Sequence, residues 1–195
     1  MLYKIAVFIL KILVFLVFDL RKHNSENFNN SDGKYIICAN HISMLDPVML
    51  AVSSRRNICF MGKKELFENR FLGYIFGKLG AFPVDRSGVS LSAIKNSLSV
   101  LNRNEVLGIF PEGTRVKEYD EENAKPGIAM IANKASSKII PVYISGQYKF
   151  RGKIDVYFGK EKNYFENYTG KINTEKYTEV GKEILKDIYA LGKDR

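Results

Sequence analysis

The sequence predicts an α/β domain built on a mixed, largely parallel sheet flanked by helices and preceded by an N-terminal membrane-associated helix. Short apolar runs rich in β-branched residues alternate along the chain with segments of helical periodicity, the pattern of strands joined by crossover helices. The first twenty residues are almost continuously apolar. The chain of 195 residues, 46% hydrophobic and 26% charged, has ordinary globular composition. A chain of this length buries roughly 70% of the surface its unfolded form exposes, enough for one core without metals or disulfides.

From Leu2 to Leu20 the sequence reads LYKIAVFILKILVFLVFDL, broken only by Tyr3, Lys4, Lys11 and Asp19. As one helix it would be about 28 Å long, barely the hydrocarbon thickness of a bilayer. Lys11 in mid-run and the marginal length favour a helix sunk into one leaflet, with its lysines reaching the headgroups, over a spanning anchor or a soluble-core helix. A cleaved signal peptide is disfavoured because Arg21-Lys22-His23-Asn24 stands where a small-residue cleavage site would be needed. Were the helix to span, Arg21 and Lys22 would hold the following domain on the cytoplasmic side. The expected layout is a hydrophobic membrane helix over 1–22, a polar linker over 23–33 (HNSENFNNSDG) and a globular domain over 34–195.

Within that domain, strands are expected at Tyr35–Ala39, Ile58–Met61, Ala81–Val84, Val106–Phe110, Ile139–Ile144 and Ile154–Phe158. Helices are expected at Pro47–Ser53, Phe71–Leu79, Leu91–Leu101 and Gly127–Ala135. A C-terminal amphipathic helix over 174–192, apolar at Tyr177, Val180, Ile184, Leu185 and Ile188, is expected to pack on the body without contributing chemistry.

Cys38 and Cys59 are too few for a disulfide framework, and no C-x-x-C pair points to zinc. His23 and His41 are the only histidines, which excludes a multi-histidine metal centre. Thirty Lys and Arg against twenty-one Asp and Glu give a net charge of +9. Such an excess suits nucleic acid, an anionic membrane surface or phosphorylated substrates. The lysines are dispersed and no aromatic-basic array appears, so no nucleic-acid partner is expected.

Four segments carry the chemistry. Asn40-His41-Ile42-Ser43-Met44-Leu45-Asp46 follows the first strand of the body. Within one regular helix a five-residue offset is about 140° round the axis, so His41 and Asp46 can meet only if His41 lies in the turn before the helix. Pro47 fits a helix starting around Leu45–Pro47. An imidazole held by a carboxylate has a fixed tautomer and a free basic nitrogen, suited to taking a proton from a hydroxyl. Ser43 and Cys38 lie nearby, but neither stands in a nucleophile elbow, and direct attack by a substrate hydroxyl is the simpler reading. Gly80-Ala81-Phe82-Pro83-Val84-Asp85-Arg86 is a strand ending in a charged pair, by itself as well read as a solvated terminus. Phe110-Pro111-Glu112-Gly113-Thr114-Arg115 sets a carboxylate, a flexible backbone, a hydroxyl and a guanidinium in one turn. Arg86 and Arg115 could grip one phosphate by forked hydrogen bonds, with Gly113 letting backbone N–H groups approach it. The fourth, Ile140-Pro141-Val142-Tyr143-Ile144-Ser145-Gly146, reads as a wall or structural strand.

In order and spacing these segments resemble the four blocks of the glycerolipid acyltransferase family, more closely its 1-acyl-sn-glycerol-3-phosphate acyltransferase branch. The N-H-x-x-x-x-D block matches at Asn40, His41 and Asp46, the G-x-F-x-x-R block at Gly80, Phe82 and Arg86, the third as FPEGTR and the fourth as IPVYISG. Pro83-Val84 departs from the isoleucine common in relatives, and Lys125-Pro126-Gly127 is similar to a family K-x-G step. The resemblance implies that His41 is the general base for the sn-2 hydroxyl of a lysophosphatidate, with Asp46 orienting it. The acyl group would come from acyl-CoA or acyl-carrier protein, giving phosphatidate and free thiol with no acyl-enzyme, no metal and no cofactor. Arg86, Glu112, Gly113, Thr114 and Arg115 would form the acceptor site, Glu112 facing the glycerol portion or bracing an arginine. Asn40, Ser43 and Lys125 would lend hydrogen-bonding or electrostatic support. Alternatives are another acceptor, glycerol-3-phosphate or a different lysolipid, and a membrane lipid-binding module without catalysis. The partners implied are membrane lipids and the thioester donor.

Overall fold

The computed structural model describes residues 2–30, 32–84, 91–166 and 168–193. The apolar N-terminus forms helix α1 (Leu2–Val17), but the helix stops three residues earlier than its apolar run. Phe18–His23 instead forms strand β1, in which Phe18 and Leu20 are more covered than Asp19 and Arg21. The Phe-Asp-Leu-Arg alternation has the period of a strand, and pairing with the sheet prevails over continuation of the helix. The expected boundary at residue 22 is thereby corrected: at 16 residues α1 is about 24 Å long, and no helix among the described residues is long and apolar enough to cross a membrane. One stripe of α1, including Val7 and Val14, is buried on the body, and Tyr3 accepts a hydrogen bond from the Ile58 N–H at 3.1 Å. The opposite stripe, with Ile5, Phe8, Ile12, Phe15 and Leu16, is exposed.

The segment expected as a polar linker is also structured in part. Its short helix α2 (Glu26–Asn29) buries Phe28 completely, stacked on Phe158 with ring centroids 6.1 Å apart, and the Asn27 amide donates to the Phe158 carbonyl at 3.0 Å. The polar residues around Phe28 mask a single apolar anchor, which composition cannot distinguish from linker.

The elements that follow agree closely with the sequence reading. They are β2 (Tyr35–Ala39), α3 (Asp46–Ser53), β3 (Ile58–Lys63), α4 (Arg70–Lys78), β4 (Phe82–Val84), α5 (Leu91–Asn102), β5 (Val106–Ile109) and α6 (Gly127–Ala135). Then come β6 (Lys138–Gly146), β7 (Gly152–Phe158) and α7 (Thr174–Ala190). The seven strands form one sheet in the order β1-β7-β6-β2-β5-β3-β4. Every neighbouring pair is parallel except β6 and β7, an antiparallel hairpin, so the sheet is mixed and largely parallel. Gly146 turns that hairpin at φ +131, where a Cβ would lie 2.1 Å from the Lys153 carbonyl oxygen.

All five residues of β2 are buried, as expected of a central parallel strand covered on both faces. Ile36 and Cys38 face a core shared with α5, α6 and α7, while Tyr35, Ile37 and Ala39 face one shared with α1, α2 and α3. This three-layer sandwich sends the chain out of β2, β5 and β6 at one edge of the sheet, the carboxyl edge where open α/β sheets place their sites. Phe28→Ala is expected to lower the unfolding free energy by about 3–5 kcal/mol in urea denaturation; a loss below about 1 kcal/mol would return residues 24–33 to the status of a linker.

Candidate active site

At the end of β2 the chain turns at Asn40 and reaches Asp46, the first residue of α3. Pro47 suits this helix start because its missing N–H has no intrahelical partner there. His41 lies in the turn before the helix, as the spacing requires. Its Nδ1 is 2.8 Å from Asp46 Oδ2, and the Ile42 and Ser43 N–H groups donate to the same oxygen at 2.7 Å each. Tyr148, in the β6–β7 hairpin loop, donates its hydroxyl to the other oxygen, Oδ1, at 2.5 Å. Asp46 is fully buried. Four donors on one buried carboxylate compensate the desolvation that an isolated charge would suffer. Burial and the adjacent Asp46 charge push the Tyr148 hydroxyl well above its ordinary range, so it remains a donor.

The His41 ring is packed against Phe110 at 4.1 Å between centroids and 21° between planes. Its side chain is 12% exposed. With Nδ1 committed to Asp46, Nε2 carries no hydrogen bond from the described residues and is left as the basic nitrogen.

The Phe110–Arg115 turn leaves β5, the strand beside β2. Gly113 adopts φ +69 there, and its N–H donates to the Phe110 carbonyl at 3.0 Å. Glu112, 2% exposed, points inward. Its Oε2 accepts from the His41 backbone N–H at 2.8 Å and its Oε1 from the Tyr189 hydroxyl at 2.6 Å. Through these contacts the carboxylate braces the histidine's own turn. Val116 N–H donates to the His41 carbonyl at 2.8 Å, a second tie between the two turns.

Gly113, Thr114 and Arg115 are exposed beyond the buried Glu112, and Lys125 lies beside them, its Cγ 3.7 Å from where a Gly113 Cβ would stand. Asn40 is not available to a substrate. It is 1% exposed, donates to the Ile144 carbonyl at 2.9 Å and accepts from the Ile144 N–H at 2.7 Å, tying the end of β2 to β6. Ser43 accepts from the Leu45 N–H at 3.2 Å and helps shape the turn. Arg86 lies outside the described residues, whereas Gly80 and Phe82 of the same block lead into and form β4, at the sheet's far edge. Cys38 is buried, and desolvation together with the nearby Glu112 charge holds its thiol well above the ordinary range, which leaves no thiolate nucleophile there.

Two residues of the site carry no sequence signal. Tyr148 sits in a polar loop, and Tyr189 belongs to the helix expected to contribute no chemistry; their partners Asp46 and Glu112 are 102 and 77 residues away. Only the three-dimensional convergence of β6, α3 and α7 on the carboxyl edge identifies them.

The sequence profile of the acyltransferase family matches residues 19–145. The chain is 38% identical over 144 residues to the 1-acyl-sn-glycerol-3-phosphate acyltransferase of Streptococcus pneumoniae, a match covering 70% of this chain and 53% of that one, so this chain aligns with about half the length of that relative. It is 34% identical to the Bacillus subtilis protein of the same name, over 74% of this chain and 71% of that one. The Helicobacter pylori protein of that name is 32% identical, over 89% and 78%. The crystal structure of a 1-acyl-sn-glycerophosphate acyltransferase from Thermotoga maritima superposes with a TM-score of 0.72, covering 99% of this chain and 82% of that one at 21% identity, a likeness of fold.

Burial raises the Glu112 pKa above its ordinary 4.5, against the opposing pull of its hydrogen bonds from Tyr189 and His41. The folded chain therefore holds this proton more tightly than the unfolded one. Glu112's contribution to stability is fullest below the unfolded pKa and declines as pH rises through the folded pKa. The stability difference between wild type and Glu112→Gln, followed by denaturation from pH 4 upward, is expected to fall with rising pH; a difference that grows with pH would mean that the hydrogen bonds from Tyr189 and His41 outweigh burial.

Proposed function

This chain belongs to the acyltransferase family, and on that premise we propose that it moves a fatty acyl group from a thioester donor, acyl-CoA or acyl-carrier protein, to the sn-2 hydroxyl of 1-acyl-sn-glycerol-3-phosphate, giving phosphatidate. The supporting observation is the Asp46–His41 hydrogen bond, which leaves Nε2 as the base at the same sheet edge as the exposed Gly113–Arg115 turn. The relatives that carry the same printed activity add to it.

In this reading the hydroxyl gives its proton to His41 Nε2 as its oxygen attacks the thioester carbonyl carbon. Asp46 stabilises the imidazolium that forms and keeps Nδ1–H in place. The tetrahedral intermediate collapses with cleavage of the C–S bond, and the imidazolium returns the proton to the departing thiolate. No acyl-enzyme forms. Arg115, Gly113, Thr114 and Lys125 present cationic and donor groups to the acceptor's phosphate, and Arg86 is assigned to the same phosphate by its place in the sequence block. Glu112, turned inward onto His41 N–H and Tyr189, offers that phosphate no exposed charge. The exposed apolar stripe of α1 sits in one leaflet of the membrane, on the cytoplasmic face, where an amphiphilic acceptor concentrates.

With purified protein in vesicles, lysophosphatidate is expected to be acylated in preference to glycerol-3-phosphate and neutral lysolipids; equal neglect of lysophosphatidate would overturn the assignment of acceptor. His41→Ala is expected to cost about 10²–10⁴-fold in turnover, the range of general-base catalysis, and a loss under about tenfold would remove the base. Arg115→Ala is expected mainly to raise KM for the phosphorylated acceptor, and an unchanged KM would remove that contact.

A further inference from the structure

A second basic site lies away from the histidine. Between α1, β1 and the end of α3 is a cleft of about 740 Å³ that shares no lining residue with the site above. Its apolar wall is formed by Ile12, Phe15 and Phe18, and it is lined as well by Lys11, Lys22 and Arg151. No acidic side chain among the described residues pairs with any of these three cations. Lys22 donates only to the Val52 carbonyl, at 3.3 Å, and its loss of solvent together with the charge of Lys11 holds it below the usual lysine range. The acid in the cleft lining, Asp19, is bonded to Arg21 at 2.8 Å, and the charge of Arg151 acts on it as well. The backbone of Arg151 stands at φ +58, and its N–H donates to the Val17 carbonyl at the end of α1 at 2.6 Å.

Like charges lining one apolar cleft with no carboxylate bonded to them are unfavourable unless an anion joins them. The apolar wall is continuous with the exposed stripe of α1, where Ile12 and Phe15 are 47% and 78% exposed. We propose that this cleft binds one anionic phospholipid of the surrounding leaflet, its headgroup along the cationic lining of Lys11, Lys22 and Arg151 and its acyl chain along Ile12, Phe15 and Phe18. The inference rests on α1 facing the leaflet and is independent of the role of His41. A consequence reaches the active site. Phe18, in the cleft wall, meets Tyr148 edge-on at 5.9 Å, and Tyr148 holds Asp46, so an occupied cleft steadies the hairpin that orients the carboxylate.

The chain contains no tryptophan, so Phe15→Trp supplies a unique fluorescent reporter at an exposed position of the cleft. Titration with monomeric dihexanoyl-phosphatidylglycerol is expected to give a saturable change. Replacing Lys11, Lys22 and Arg151 together by Gln is expected to weaken it about tenfold or more. The same loss of charge at the exposed Lys134, Lys160 and Lys171 is expected to leave it within about twofold, the effect of diffuse attraction alone. The His41→Ala change in the reporter protein is expected to leave the titration unaltered, so the catalytic reading and this one can fail separately. A response to inorganic phosphate equal to that of the lipid would make the cleft a free-anion site and overturn the proposal. An unsaturable response, or equal weakening by both triple variants, would overturn it as well. Flotation of the two triple variants, without the reporter, on phosphatidylcholine vesicles with and without phosphatidylglycerol repeats the comparison, and loss of the phosphatidylglycerol increment in the cleft variant alone is the expected result.

Discussion

One buried carboxylate organises the active edge of this protein. Asp46 has no contact with solvent, and four donors from two parts of the chain converge on it: the His41 ring and the backbone N–H groups of Ile42 and Ser43 from the turn, and the Tyr148 hydroxyl from the β6–β7 loop. The two N–H groups, with the N-terminus of α3, contribute positive electrostatic potential that water would otherwise supply. Because Oδ2 is shared by the ring and the turn, the imidazole cannot rotate without disturbing the backbone. The second buried carboxylate, Glu112, acts on the same residue from the other side through the His41 N–H. Histidine ring and histidine backbone are thus held by different acids, and Nε2 is left without a hydrogen bond from the described residues.

The division of labour follows from the sheet. Because β2, β5 and β6 run parallel and adjacent, their exits place the His41 turn, the Phe110–Arg115 turn and the Tyr148 loop side by side. The Asn40–Ile144 and Val116–His41 hydrogen bonds lace those exits together, so the site is fixed by strand register more than by any loop's own preference. The face of the sheet carrying α1 and α3 ends in an apolar helix stripe, and the face carrying α5, α6 and α7 supplies Tyr189. The edge that carries His41 therefore lies between the layer with the exposed apolar stripe and the layer that supplies Tyr189.

Much of this was legible in the residues alone. The runs Tyr35–Ala39 and Gly127–Ala135 are the strand and helix that the structure has, because each is bounded by turn chemistry and its apolar positions keep one period throughout. The His41–Asp46 meeting was legible because helix geometry leaves a five-residue spacing only one way to close. The strand Phe18–His23 was hidden because its alternation begins inside an apolar run that also satisfies a helix, and pairing with a strand more than 130 residues later decides the outcome. Phe28 was hidden among polar neighbours. Tyr148 and Tyr189 were hidden for a different reason: a lone tyrosine in a loop or on an amphipathic helix has no spacing that announces a carboxylate partner. The inward turn of Glu112 has the same origin, since the sequence shows a carboxylate beside Arg115 but not the Tyr189 hydroxyl that draws it away.

With only two histidines in the chain, the central arrangement can be read directly. In ¹⁵N-histidine-labelled protein, with His41→Ala to assign the resonances, the His41 ring at a pH where it is neutral should carry its proton on Nδ1 and show an unprotonated Nε2. The Asp46→Asn variant should lose that fixed tautomer. A proton on Nε2 in the wild type, or a ring averaging freely between tautomers, would contradict the account.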